Sequence, residues 1–137
     1  MAFVDTNVLL YAVSREPAEQ EKARRADEIL AAGDVVLSTQ VLQEFYVQAT
    51  RPSRAHPLDH ERAAGLVEAF LRFPVQELTN AIVLAALATR ERFGISYWDA
   101  AIVEASRAAG CDVVLSEDLG DGADYGGVRV ENPFGSG

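Results

Sequence analysis

Short, continuously apolar runs alternate with longer amphipathic segments along the chain. The runs at residues 2–5, 35–37 and 113–115 are too short for helices, so they predict buried strands. Weaker patterns predict a third strand over 73–78 and a final strand over 128–130. Because these runs show little apolar–polar alternation, we expect both faces of the sheet to be covered, as in parallel sheets.

Apolar residues at helical spacing fill the intervals between the predicted strands. The predicted helices span residues 7–13, 17–32, 39–50, 59–72, 80–93 and 97–109. Asp59 and Thr79 are predicted N-caps, while Gly33, Gly94 and Gly110 are predicted to end helices. Strands alternating with helices predict an α/β fold, a three-layer α/β/α sandwich with a small central parallel sheet, in a single domain over residues 1–137.

The composition is that of an ordinary globular protein, with 49% hydrophobic and 24% charged residues among 137. A single cysteine, Cys111, excludes an internal disulfide and is expected to be a buried core thiol. No secretory signal or apolar stretch of roughly 20 residues is apparent, which favours a cytoplasmic protein without membrane contact. Met1 and the few aromatic residues, including Trp98, are expected to be core or packing residues.

The formal net charge of −9 argues against general binding to phosphate backbones, because an acidic chain gains little from counterion release. Lys22 is the only lysine, and every other base is arginine. Attraction to a nucleic acid must therefore come from bound cations or from locally clustered arginines. Arg15, Arg51 and Arg54 are candidates, although exposed arginines ordinarily serve solubility.

Acidic residues from distant parts of the chain fall where the predicted sheet presents its carboxyl edge. They are Asp5, Glu44, Asp99 and Asp118, with Asp121 in the glycine-rich segment that follows. Hydroxyl and amide groups accompany them at Thr6, Asn7, Ser38 and Ser116. Ligands of open α/β sheets bind beyond the carboxyl ends of the strands. Converging carboxylates repel one another unless a hard cation joins them, and oxygen donors suit Mg²⁺ or Mn²⁺.

Most of these acids also have a purely structural interpretation. The segment from Ser96 to Asp99 matches a capping box, Asp5 or Thr6 could cap the next helix, and Asp118 could belong to a turn. Glu44 is harder to explain in this way. It lies near the apolar face of its helix, where an unpartnered acid is costly, and glutamines rather than bases stand four residues away.

Four segments in this order resemble a known family. They are Phe3-Val4-Asp5-Thr6-Asn7, Ser38 followed by Glu44, Trp98-Asp99-Ala100-Ala101-Ile102, and Leu115-Ser116-Glu117-Asp118. The pattern is similar to that of PIN-domain ribonucleases and, among them, of VapC-type toxins of bacterial toxin–antitoxin pairs. The resemblance covers nearly the whole chain. It implies a Mg²⁺- or Mn²⁺-dependent endoribonuclease acting on RNA, usually a homodimer, inhibited by a co-expressed VapB-like antitoxin.

The resemblance also implies roles for individual residues. The catalytic, metal-binding acids are Asp5, Glu44, Asp99 and Asp118, supported by Thr6, Asn7, Ser38 and Ser116. Ser116 stands where the family commonly has threonine, which preserves the hydroxyl. Asp121 could replace or supplement Asp118, and the number of ions, one or two, stays open. An RNA-processing relative that is not a toxin remains an alternative.

Three other functions remain open at this point. An aspartyl phosphatase would use Asp5 as its nucleophile, but Asn7 stands where its general-acid aspartate is expected. A non-enzymatic, Mg²⁺-binding receiver domain would require a late lysine, and none follows Lys22. A binding module in which all the acids are helix caps is the third alternative.

Overall fold

A six-stranded sheet runs through the centre of the computed structural model, which describes residues 1–135. Its strands are β1 (Ala2–Val4), β2 (Val35–Ser38), β3 (Val75–Gln76), β4 (Val113–Leu115), β5 (Asp124–Tyr125) and β6 (Val128–Glu131). The strand order is β3-β2-β1-β4-β6-β5, and every pair except β5 with β6 is parallel. The predicted α/β fold with a small parallel sheet is thus confirmed. β2 and β3 lie on one side of β1, whereas β4, β6 and β5 lie on the other. The strand order therefore reverses between β1 and β4.

Helices cover the sheet and connect its parallel strands. They are α1 (Thr6–Ala12), α2 (Gln20–Ala32), α3 (Thr39–Ala49), α4 (His60–Phe70), α5 (Asn80–Phe93) and α6 (Tyr97–Ala108). The side chains of Asp59 and Thr79 cap α4 and α5 as predicted, and Gly33 ends α2 with a left-handed φ of 76°. Residues Pro17–Glu19 form a separate 3₁₀ turn, so the helix predicted from residue 17 begins later. None of the helices described within residues 1–135 is both long and apolar enough to cross a membrane.

A hairpin near the end of the chain was not predicted. The sequence pattern predicts only a final strand over 128–130 after the glycine-rich segment, but residues within that segment form β5, which pairs with β6 in antiparallel register. The connection is Gly126-Gly127, whose φ angles are 64° and 96°. Glycine adopts positive φ at little cost, and two such residues match the twist of a hairpin.

The continuous apolar runs of the strands form the centre of the core, as their pattern indicates. Phe3, Leu37 and Val114 are fully buried, and Cys111 is buried as predicted. Neither Met1 nor Trp98 is a core residue, because their side chains are 61% and 63% exposed; the packing contact of Trp98 is with the ring of Tyr97. Trp98 lies in the first turn of α6, where it borders a cleft at the sheet edge instead of being covered by the sheet.

Candidate active site

Asp5 occupies the junction between β1 and α1. Its backbone is still extended, with φ −78° and ψ 163°, and its amide donates to the carbonyl of Leu115 on the neighbouring strand at 3.0 Å. The carboxylate accepts hydrogen bonds from the amide of Thr6 at 2.7 Å and from Ser116 Oγ at 2.8 Å. Asp5 therefore caps α1 while its carboxylate also lines the cleft at the sheet edge.

Ser116 and Asn7 hold the segment after β4 against the start of α1. Ser116 Oγ accepts from Asn7 Nδ2 at 3.2 Å and from the amide of Asp118 at 3.1 Å. Asn7 Nδ2 also donates to Asp118 Oδ2, and Asn7 Oδ1 accepts from the amide of Glu117, both at 3.2 Å. These bonds join the two central strand ends and set the position of the Asp118 carboxylate.

Glu44 reaches the same place from α3. Its Oε2 accepts from Thr6 Oγ1 at 3.0 Å, and its Oε1 accepts from Gln40 Nε2 at 2.9 Å. Gln40 donates its second N–H to the carbonyl of Trp98 at 3.1 Å, so it links α3 to the first turn of α6. Gln40 is not among the predicted site residues, although its spacing of four residues from Glu44 is a usable signal.

Asp99 enters the cleft from the first turn of α6. Its amide donates to Ser96 Oγ at 3.1 Å, which is the capping contact that the Ser96–Asp99 spacing predicts. Burial raises the pKa of Asp99, a hydrogen bond with Ser96 lowers it, and the negative charges of Asp118 and Glu44 raise it. The capping geometry and the place in the cleft are therefore compatible.

The four predicted acids line one cleft of about 140 Å³ at the point where the strand order reverses. Its lining is Asp5, Thr6, Asn7, Leu10, Glu44, Gln48, Trp98, Asp99, Ile102 and Asp118. Ser116 is buried and bonded to Asp5. Ser38 and Asp121 do not line the cleft: Ser38 caps α3 through the amide of Val41, and Asp121 accepts from the amide of Asn132.

The electrostatics of the cleft are those of crowded carboxylates. The pKa of Asp5 is raised from 3.8 to about 6, chiefly because the side chain is buried. Its hydrogen bonds with Ser116 and Thr6 lower the pKa, and the charges of Glu44 and Asp118 raise it again. At neutral pH the cleft therefore holds several negative charges that nothing in its lining neutralises.

The donor set fits a hard, hydrated divalent cation. All four charged groups are carboxylates, and the cleft volume is that of a few water molecules. No three His, Cys, Asp or Glu side chains in the described part of the chain already form a group that could hold a metal. Mg²⁺ does not require such a cage, because it keeps several waters and binds through one or two carboxylates.

A second network stabilises the segment after β4 from the side of α2. Lys22 Nζ donates to Glu117 Oε2 at 2.6 Å, and Tyr11 Oη donates to Glu117 Oε1 at 2.5 Å. Burial alone would raise the pKa of Glu117, but these hydrogen bonds and the lysine charge lower it below its ordinary value. Since Glu117 adjoins Asp118, the network fixes the loop that carries one of the four acids. The sequence analysis missed it, because the partners are far apart in the chain.

A family model described as "PIN domain" matches residues 2–120. Comparison with curated protein sequences finds no match.

Solved structures share the fold over most of the length of both chains. A toxin–antitoxin complex from Klebsiella pneumoniae has a TM-score of 0.72 at 20% identity, covering 97% of this chain and 98% of that chain. VapC20 from Mycobacterium tuberculosis, described as a toxin that cleaves the Sarcin-Ricin loop, has a TM-score of 0.68 at 21% identity, covering 87% and 92%. DNA-bound VapBC from Salmonella typhimurium has a TM-score of 0.68 at 20% identity, covering 97% and 99%.

Proposed function

The chain belongs to the PIN-domain family, and from this premise we propose that it is a Mg²⁺- or Mn²⁺-dependent endoribonuclease that hydrolyses phosphodiester bonds of RNA. One observation carries the proposal. Acids from four separate elements, Asp5, Glu44, Asp99 and Asp118, line a single cleft at the reversal of strand order. Helix capping alone does not explain this convergence, because Glu44 lies within α3 and the Asp118 carboxylate accepts from Asn7, so neither acid caps a helix.

In this proposal Asp5 and Asp99 hold the catalytic ion. Glu44 and Asp118 complete its surroundings or hold a second ion. Held by these acids, an ion would supply an activated water for attack on the phosphate and positive charge to compensate that of the phosphate. This compensation also answers the objection from the net charge of −9.

The neighbouring polar groups keep the acids oriented. Ser116 Oγ directs its proton to Asp5 Oδ2, and Thr6 Oγ1 directs its proton to Glu44 Oε2. Asn7 holds Asp118 through its side-chain amide. Groups that orient metal ligands in this way typically affect activity by ~10–100-fold when they are removed.

The biological role that we propose is that of the toxin in a type II toxin–antitoxin pair. Solved structures of the same fold include a toxin–antitoxin complex and VapBC, and the coverage is nearly complete on both sides. The proposed partners are accordingly a VapB-like antitoxin and a second copy of this chain. The proposed substrate is RNA, in line with the RNA-cleaving description of VapC20.

The side-chain contacts do not favour the rival chemistries. A phosphatase needs a proton donor two residues after its nucleophile, but Asn7 is an amide bonded to Ser116 and Asp118. A receiver domain needs a lysine beside the acids, whereas Lys22 pairs with Glu117.

Cleavage of total cellular RNA by the purified protein tests the proposal. We expect cleavage in Mg²⁺ or Mn²⁺ that stops when EDTA is added, with new ends that map to defined positions. Asp99→Asn should lower the rate by at least ~100-fold, since it removes a proposed metal ligand. Asp27→Asn is the matched control, because Asp27 is exposed on α2 and does not line the cleft. Cleavage that persists in EDTA, or in pure Asp99→Asn at the rate of the control, would contradict the proposal.

A further inference from the structure

The exposed indole of Trp98 stands at the rim of the acid cleft. Its ring contacts the edge of the Tyr97 ring, with centroids 5.1 Å apart, and its backbone carbonyl accepts from Gln40. The backbone is therefore held while most of the side chain remains free. A single exposed apolar residue is ordinary on a protein surface. This one is unusual because it adjoins the carboxylates.

A second, wider groove of about 600 Å³ begins at this indole and follows α3. We call it the Trp98 groove; the residues used below are Gln43, Glu44, Val47, Gln48, Arg51 and Trp98. Residues 43 and 47, and likewise 44 and 48, are four apart and so lie on one face of the helix. Glu44, Gln48 and Trp98 also line the acid cleft, so the two spaces adjoin each other.

The side chains of the groove match the parts of a nucleotide. An exposed indole provides a stacking face for a base, and every base has such a face. The amides of Gln43 and Gln48 carry both donors and acceptors for the edge of a base. Arg51 provides a positive charge at the end of α3, and it belongs to none of the ion pairs found within residues 1–135.

We propose that the Trp98 groove is a nucleobase subsite, in which one base of single-stranded RNA stacks on Trp98 while the adjoining phosphodiester lies at the acids. The inference rests on the proposed nuclease function and deepens it. The shared border with the acid cleft favours this occupant, because a strand that crosses the acids on the side of Trp98 runs into the groove. The charge favours it as well, since a chain with a net charge of −9 needs contacts other than phosphate neutralisation to bind RNA.

The subsite also selects the form of the RNA. In a duplex the bases are paired and stacked on one another, so none is available to the indole. The substrate is therefore an unpaired loop, bulge or end.

Trp98 is the only tryptophan, so the intrinsic fluorescence of the unmodified protein reports directly on this subsite. The probes are oligoadenylate, an abasic strand of the same length and a duplex of the same length. Each probe is titrated into the protein in a buffer that contains Ca²⁺, and the RNA is checked afterwards to be intact. We expect saturable quenching by oligoadenylate alone. Neither the abasic strand nor the duplex should quench.

Variants separate stacking from other effects, with affinity read from the anisotropy of a labelled oligoadenylate. Trp98→Ala should weaken binding by at least ~10-fold, and Trp98→Phe should restore most of it, because stacking depends on an aromatic face. Leu84→Ala is the control: Leu84 is similarly exposed, at 68%, but lies on α5 outside the groove. It should bind RNA as the unaltered protein does.

Several results would overturn the subsite. Quenching that is equal for the abasic strand, or unchanged affinity in Trp98→Ala, would do so. Sedimentation showing that Trp98→Ala abolishes self-association, without an effect on RNA binding, would assign the groove to a second copy instead. Metal-dependent cleavage with an unchanged KM in Trp98→Ala would overturn the subsite alone. Base-dependent quenching without any cleavage would overturn the nuclease proposal and retain the subsite.

Discussion

The Asp5 carboxylate is buried between two hydrogen-bond donors and faces two further negative charges. Its folded-state pKa of about 6 lies above the ordinary value of 3.8, so Asp5 is more readily protonated in the folded protein than in the unfolded chain. The stability associated with this form is fully present below about pH 4 and is lost as the pH rises through about 6. At neutral pH, without a cation, ionised Asp5 therefore destabilises the fold.

The cost of ionising Asp5 in the folded protein gives a prediction for Asp5→Asn in EDTA. The difference between the two pKa values corresponds to at most ~3 kcal/mol, which the neutral amide avoids at neutral pH. An amide satisfies only one of the two donors that face Asp5, so we expect a net gain of about 1 kcal/mol in the free energy of unfolding near pH 7.5. Near pH 4 the sign should reverse, because Asp5 is then protonated in the folded protein while the cost of the unsatisfied donor in the variant remains. Urea denaturation at the two pH values measures it.

Added Mg²⁺ provides the control for this prediction. It should stabilise the unaltered protein near pH 7.5 by binding only the folded state, and it should stabilise Asp5→Asn much less. An Asp5→Asn variant that is no more stable than the unaltered protein in EDTA near neutral pH, with the same response to Mg²⁺, would contradict this description of Asp5.

At the scale of elements, Gln40 joins two helices that each carry an acid. Its side-chain amide donates to Glu44 on α3 and to the carbonyl of Trp98 on α6, next to Asp99. Gln40 is 3% exposed, and its Oε1 has no hydrogen-bond partner in the described structure. Rotating the amide would turn this oxygen toward two acceptors, so the observed orientation is the favourable one.

We predict that Gln40→Met weakens Mn²⁺ binding by ~10-fold while lowering the free energy of unfolding by only about 1 kcal/mol. The similar volume preserves packing, and the unpaired oxygen is removed together with the two hydrogen bonds. Calorimetric titration and urea denaturation measure the two effects. Gln43→Met, on the exposed side of the same helix, is the control and should leave both quantities unchanged. A loss of stability without any loss of Mn²⁺ affinity would contradict the prediction, because Gln40 would then contribute to the fold and not to metal binding.

The elements were predictable from sequence to the extent that their signals are local. The caps at Asp59 and Thr79 and the stop at Gly33 depend on neighbouring residues, and the structure has all three. The β5–β6 hairpin also had a local signal, Gly126-Gly127, which was interpreted only as a loop. The burial of Trp98 was predicted wrongly, because exposure depends on where α6 begins relative to the sheet.

At the scale of the whole molecule, one topological rule brings Asp5 and Asp118 together, because both follow parallel strands, while α3 and α6 carry Glu44 and Asp99 to the same cleft. Parallel strands bring their carboxyl ends to one edge, and the reversal at β1 opens the cleft there. Contacts between distant side chains followed no such rule. Lys22 and Glu117 are 95 residues apart, and Gln40 and Trp98 are 58 apart, so neither contact left a pattern in the sequence.

The net charge of the whole molecule makes the grouping of the four acids in one cleft significant. A chain with a net charge of −9 concentrates four of its acids in one small cleft, which is a costly arrangement unless a cation completes it. The central claim is therefore that the cleft is a divalent cation site, on which the proposed cleavage depends.

Calorimetric titration of the metal-free protein with Mn²⁺ tests this claim most directly, because it requires neither a substrate nor an activity. We predict saturable binding near neutral pH that is lost in a protein carrying both Asp5→Asn and Asp99→Asn and retained in Asp27→Asn. No saturable binding by the unaltered protein, or equal binding by the doubly substituted protein, would contradict the account.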